Sequence, residues 1–207
     1  MLQVREAALD RARLLNRLTL GWNVAEGVIA IAAGVAASSV SLIGFGLDSG
    51  IEVSASVILA WRLHQERRGG CMAENDRLAT RLIAGSFLAL AVYVWVTGTG
   101  DLLAGSEPEP TLLGVLLAGA SVAVMPSLAR AKRRLAVPLG SSAAASEAAQ
   151  TMFCAVLSGV VLVGLALNLL LGWWWADPVA ALLIGALAMR EAALVWRAHS
   201  LEDTCCA

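Results

Sequence analysis

The stretch GFGLDSGIEVSASVILAW, residues 44–61, is apolar enough to cross a lipid bilayer, yet it carries two acids, Asp48 and Glu52. The two acids are four residues apart, so a helix places both side chains on one face. Ionisable side chains at membrane depth are costly, and they commonly mark a functional site. The stretch therefore predicts a membrane-spanning helix with one polar, functional face.

The composition of the whole chain indicates an integral membrane protein. Of 207 residues, 58% are hydrophobic and 15% are charged, and the mean hydropathy is +0.74. A typical soluble domain has about a quarter of its residues charged. A span needs about 20 apolar residues, and the sequence predicts an all-α bundle of six transmembrane helices, at 18–37, 40–61, 82–103, 111–129, 143–171 and 174–196.

The positions of the basic residues predict the orientation and the domain layout. Cytosolic loops of membrane proteins are enriched in lysine and arginine. With the N-terminus in the cytosol, all 15 basic residues fall on the cytosolic side, and the outer connections at 38–41, 107–110 and 172–177 contain none. We therefore expect both termini in the cytosol, and we predict three parts: a cytosolic lead (1–17), one membrane domain (18–197) and a short Cys-containing cytosolic tail (198–207).

The four cysteines argue against a disulfide framework. Cys71, Cys205 and Cys206 fall on the predicted cytosolic side, where disulfides are disfavoured. Cys154 lies inside a predicted span, away from the other three in the sequence.

Three of the predicted helices carry polar residues at similar depth. Counted at about 1.5 Å per residue from the cytosolic ends, they converge on the middle third of a bilayer about 30 Å thick, with Glu147 nearer the cytosolic mouth. Spacings of three or four residues place each group on one helical face. The groups are Asn23 and Glu26 in the first helix, Asp48 and Glu52 in the second, and Glu147, Gln150 and Cys154 in the fifth.

Two carboxylates, a thiol and an amide oxygen at one depth form a candidate metal site. Carboxylate and thiolate are both zinc ligands, and four-coordinate geometry suits that ion. Sulfur beside oxygen argues against magnesium or calcium, but it does not distinguish zinc from cobalt, iron or cadmium. A divalent cation would also offset the cost of burying the acids.

Several of these residues also have simpler interpretations. Asn23 is typical of an interhelical hydrogen bond, and Glu26 or Glu147 could cap a helix or bond across the bundle. Cys154 alone would usually be a small apolar side chain in the packing. These alternatives stay open at the level of sequence.

Asp177 and the Asp48–Glu52 pair differ in how well structure alone explains them. Asp177, followed by proline, is predicted to be the N-cap of the sixth helix at the outer surface. The pair is harder to explain without a function, because no predicted span provides a basic partner for either acid.

Two stretches resemble a known family. SSVSLIGFGLDSGIEVSASVILAWR (38–62) resembles the second helix of cation diffusion facilitators, and SSAAASEAAQTMFCAVLSGVVLVGLALNLLLGWWWADPVAALLIGALAMREA (141–192) resembles their fifth and sixth helices. The resemblance implies a six-helix, usually homodimeric transporter that exports zinc or a related divalent cation in exchange for protons. It also implies a metal site that joins helices two and five, with the ligands Asp48, Glu52, Gln150 and Cys154.

The chain departs from the usual family pattern in its fifth helix. Gln150 and Cys154 stand where most members have histidine and aspartate, so protons would have to be carried by Asp48, Glu52 or Cys154. Asn23, Glu26 and Glu147 are secondary or access-path candidates. The sequence is more similar to the short six-helix branch that lacks the C-terminal cytosolic domain, whose members can end in paired cysteines.

The resulting expectation is a metal and proton antiporter in the plasma or inner membrane, without a permanent cofactor and without a nucleic-acid partner. The alternative is a membrane metal sensor or accessory subunit that binds a cation without moving it. The tail residues His199, Cys205 and Cys206 either collect metal or play no part in binding. An intramembrane hydrolase is disfavoured, because no predicted span contains a histidine to act as general base.

Overall fold

A computed structural model describes residues 2–66, 73–139 and 142–198, and within these ranges the chain forms six helices. The all-α prediction is therefore confirmed. Cys71, His199, Cys205 and Cys206 lie outside the described residues. The helices are α1 (Leu2–Ala37), α2 (Val40–Glu66), α3 (Ala73–Ala104), α4 (Leu112–Leu139), α5 (Ser142–Leu171) and α6 (Ala176–Ala198).

The helices form a multi-pass membrane bundle. In the described part of the chain, five helices contain a segment long and apolar enough to cross a membrane, and α2, with 27 residues, packs against α1, α3, α5 and α6. Helix α1 begins at Leu2 and continues without a break into the first apolar segment. The five segments are Leu14–Ala37, Arg81–Ala104, Leu112–Leu135, Ala148–Leu171 and Ala176–Arg197.

The three connections that contain no basic residue meet at one end of the bundle, which we call the outer end. The backbone N–H of Glu109 donates to the carbonyl of Ala37 at 2.9 Å, which joins the α3–α4 loop to the end of α1. The side-chain amide of Asn168 on α5 donates to the carbonyl of Pro108 at 3.0 Å. The arginines of the helices lie at the opposite end, which we call the basic end.

Asp177 also joins helices at the outer end, and its predicted role as the N-cap of α6 is wrong. It lies in the first turn of α6, is buried, and accepts hydrogen bonds from the hydroxyls of Ser39 (2.6 Å) and Ser41. Ser39 in turn is the N-cap of α2, because its hydroxyl accepts from the backbone N–H of Leu42 at 3.2 Å. The partners of Asp177 therefore lie across the bundle rather than in its own helix.

Glycines bring α1 and α2 into close contact. A Cβ on Gly46 would lie 3.0 Å from the carbonyl oxygen of Gly27 and 2.7 Å from a side-chain carbon of Ile31. Only residues without a side chain allow helices to approach this closely. The contact sets the polar residues of α1, Asn23 and Glu26, against the face of α2 that carries the acids.

Candidate metal centre

Asp48, Glu52 and Cys154 lie together in the interior of the bundle. Each offers one donor atom, and the three atoms lie within 4.8 Å of one another, while the side chains are 0%, 3% and 0% exposed. Zinc binds oxygen at about 2.0–2.2 Å and sulfur at about 2.3 Å, which places tetrahedral donors about 3.3–3.6 Å apart. A small inward movement of these side chains would therefore complete three positions of a metal shell.

Three of the four carboxylate oxygens in this cluster lack a hydrogen-bond donor among the described residues. Among the described residues, neither oxygen of Asp48 has a hydrogen-bond partner, and neither does Oε1 of Glu52. A buried carboxylate without partners is strongly unfavourable, and a bound cation is one of the few groups that can satisfy it. These unpartnered oxygens and the Cys154 thiol therefore form a candidate cation site.

Asn23 is held directly against the cluster. Its Nδ2 donates to Oε2 of Glu52 at 2.6 Å, and both side chains are buried. This hydrogen bond fixes Oε2 of Glu52, while Oε1 has no hydrogen-bond partner among the described residues. The first helix thus contributes a positioning residue to the candidate site.

Glu26 lies beside the cluster but has its own set of partners. Its Oε1 accepts hydrogen bonds from the hydroxyl of Ser121 and from Nε1 of Trp22 (3.4 Å). Its Oε2 accepts from the hydroxyl of Ser49 (3.1 Å) and from the Cys154 thiol (3.8 Å). Glu26 is thus a hydrogen-bonded neighbour of the thiol, unlike the carboxylates of the cluster.

The model of the cation efflux transmembrane domain matches residues 18–199 of the chain. The chain belongs to the cation efflux family. This family is that of the cation diffusion facilitators, so the resemblance predicted from the second, fifth and sixth helices is confirmed. Its members are transporters, and the chain is accordingly a metal-cation transporter of this kind. A search of curated proteins found no individual match.

In this cation efflux protein, the side chain of Gln150 lines a small cavity beside Glu52. The side chain is half-buried, and the cavity is polar. The cavity has a volume of about 10 Å³, enough for about one water molecule. Glu147 lies in α5, but its side chain is outside the described ones. The cavity is lined by Thr19, Asn23, Glu52, Ser56, Lys132, Gln150 and Thr151.

Lys132 is the residue of the site that the sequence prediction missed. We expected no basic residue beside the acids, but Lys132 of α4 is only 7% exposed and shares the cavity with Glu52. Its Nζ donates to the hydroxyl of Thr151 at 3.3 Å. The sequence does contain a sign of this burial. Lys132 is 7 residues after Met125 and 11 after Ser121, a spacing that puts all three on the buried face of α4.

Proposed function

We propose that this cation efflux protein exports a divalent transition-metal ion, with zinc favoured, from the cytosol in exchange for protons. The observation that supports the proposal best is the buried group of Asp48, Glu52 and Cys154, whose donor atoms lie within 4.8 Å of one another. Family membership supports transport of a cation. The donor set supports the class of metal.

The donors favour zinc over magnesium or calcium. Two carboxylates and a thiolate match the oxygen and sulfur ligands of zinc, whereas magnesium and calcium prefer oxygen alone. The candidate for the fourth ligand is Gln150, which is one helical turn from Cys154 on α5 and shares a cavity with Glu52. Cobalt, iron and cadmium are the alternative cargoes, because they accept the same donors.

Proton exchange follows from the chemistry of these ligands. A metal binds the deprotonated forms of carboxylate and thiol, so protons and metal compete for the same atoms. A cation taken up from the cytosol would be released on the other side when protons bind Asp48, Glu52 and Cys154. The helices would rock around the site to alternate its access.

The remaining polar residues have supporting roles in this scheme. Asn23 orients Glu52, Glu26 holds the Cys154 thiol, and Glu147 lies on the cytosolic access path. The family resemblance adds two further expectations, a homodimer and a location in the plasma or inner membrane.

Flux through the purified protein tests the proposal. Proteoliposomes loaded with a zinc-sensitive dye and subjected to a pH gradient should show zinc uptake that the Asp48→Asn/Glu52→Gln double variant abolishes. The matched control is Glu107→Gln/Glu109→Gln, which removes two exposed acids from the α3–α4 loop and should leave the flux unchanged. Equal flux in the site variant would exclude the site, whereas zinc binding without flux in the wild type would favour an accessory or sensor subunit.

A further inference from the structure

A buried lysine faces the candidate metal centre from the basic end of the bundle. Lys132 is the only lysine in the 207 residues and is 7% exposed, whereas the next two residues of α4, Arg133 and Arg134, are exposed. Burying an ammonium group is costly unless nearby groups compensate its charge. The Nζ of Lys132 donates a hydrogen bond to the neutral hydroxyl of Thr151 at 3.3 Å, and Glu52 lines the same small cavity.

Glu52 is an acidic neighbour of this lysine. The cavity that Lys132 lines has Glu52 in its wall, and the ammonium is near enough to attract that carboxylate. The cavity lies on the basic side of the metal centre, because it also contains Ser56 and Thr19, each one helical turn from Glu52 or Asn23 toward the basic end. Glu52 is thus shared between the cation cluster on one side and the lysine on the other.

We propose that Lys132 is a built-in competitor of the transported cation, an inference that rests on the proposed function of the cluster. Without metal, the ammonium offsets part of the negative charge of the two carboxylates. A bound dication supplies that charge instead and repels the ammonium. The long side chain of Lys132 then extends toward the basic end, as lysines commonly do near membrane surfaces.

The consequence is a site that binds metal less tightly and releases it faster than its ligands alone would allow. A transporter needs such release, because an ion held by two carboxylates and a thiolate in a dry interior would otherwise leave slowly. Removal of the lysine charge should therefore tighten binding and slow turnover together. If Lys132 were purely structural, its removal would instead weaken zinc binding or destabilise the fold.

Chelator-buffered zinc titrations at pH 8.5 and proteoliposome flux provide the first test. Lys132→Gln, which keeps a donor for Thr151, should lower the zinc Kd by about tenfold and lower both KM and kcat. Lys132→Arg, which keeps the positive charge, should have the wild-type Kd, KM and kcat. Arg133→Gln, which removes an exposed charge next in the helix, should leave the Kd unchanged. An unchanged or raised Kd in a folded Lys132→Gln protein would overturn the inference.

A second test uses the wild-type protein and needs no variant. Because Lys132 is the only lysine, it is the only side chain that an amine reagent labels, and peptide mass spectrometry separates it from the N-terminal amine. Zinc should increase labelling of Lys132 severalfold as the ammonium leaves the cavity, and unchanged or reduced labelling would overturn the inference. If Asp48→Asn/Glu52→Gln binds zinc like the wild type, the proposed site itself is wrong. If that variant loses zinc binding but zinc leaves the labelling of Lys132 unchanged in the wild-type protein, only the role of Lys132 is wrong.

Discussion

Asn23 on α1 and Glu52 on α2 are joined by a hydrogen bond of 2.6 Å from the side-chain amide to Oε2. The bond lies in the interior and fixes one oxygen of Glu52, while Oε1 has no hydrogen-bond partner among the described residues. Asn23 is therefore placed to orient a proposed metal ligand, and α1 reaches the candidate site without contributing one of the clustered donors.

The first prediction concerns this hydrogen bond. Asn23→Ala should weaken zinc binding by about tenfold, because a hydrogen bond to a charged group contributes about 1.5–3 kcal/mol and part of that is recovered by rearrangement. Isothermal titration of the purified protein measures the change. The control is Asn168→Ala, which removes a buried amide at the outer end and should leave the zinc affinity unchanged. A similar loss in both variants would contradict a specific role for Asn23.

The second prediction concerns the thiol. In a background without Cys71, Cys205 and Cys206, Cys154→Ser should weaken zinc binding by about tenfold or more and change magnesium binding little, because only zinc gains from sulfur. Competition titrations with the two ions give the ratio. An unchanged ratio of zinc affinity to magnesium affinity would exclude the thiol as a metal ligand. Weaker zinc binding in the background protein than in the wild type would assign a role to Cys71, Cys205 or Cys206.

The third prediction concerns the packing of α1 against α2. Gly46→Ala should destabilise the protein by about 1–3 kcal/mol, because the new Cβ would meet Ile31 and the backbone of Gly27. Gly50→Ala, one turn along the same helix, meets nothing within 4 Å and should be neutral or stabilise by up to about 1 kcal/mol. Thermal melting in detergent compares the two variants. Equal melting temperatures would show that the close approach is unimportant.

The fourth prediction concerns the outer end. Asp177→Ala leaves the hydroxyls of Ser39 and Ser41 without their acceptor and should cost about 1–3 kcal/mol of stability. The zinc Kd of the folded fraction should not change, because Asp177 is not part of the metal cluster. A changed Kd with unchanged melting temperature would mean that the outer end acts on the site rather than on the fold.

Hydropathy and spacing predict much of this molecule. Five of the six predicted spans end within six residues of the apolar segments of the described helices, because a membrane segment must be apolar over a fixed length. Asp48, Glu52 and Cys154 could be grouped because helical spacing and depth limit where their side chains can lie. Span length, depth and same-face spacing can all be counted along the sequence of a single helix.

The partners of each side chain could not be predicted in the same way. Ser121 as a donor to Glu26, Lys132 beside Glu52 and the bonds of Asp177 to the start of α2 all depend on how each helix is rotated about its own axis. Hydropathy indicates that rotation poorly, because the side of a membrane helix that faces lipid and the side that faces the core are both apolar. Charge counting also placed Lys132 with the exposed arginines, although its helix buries it.

Anomalous scattering from crystals grown with zinc tests the central claim most directly. We predict one strong peak in the bundle between α2 and α5, at about 2.0–2.3 Å from carboxylate oxygens of Asp48 and Glu52 and from Sγ of Cys154. The peak should be absent from the Asp48→Asn/Glu52→Gln protein. A peak at another place in the bundle, or one that persists in that variant, would contradict the account.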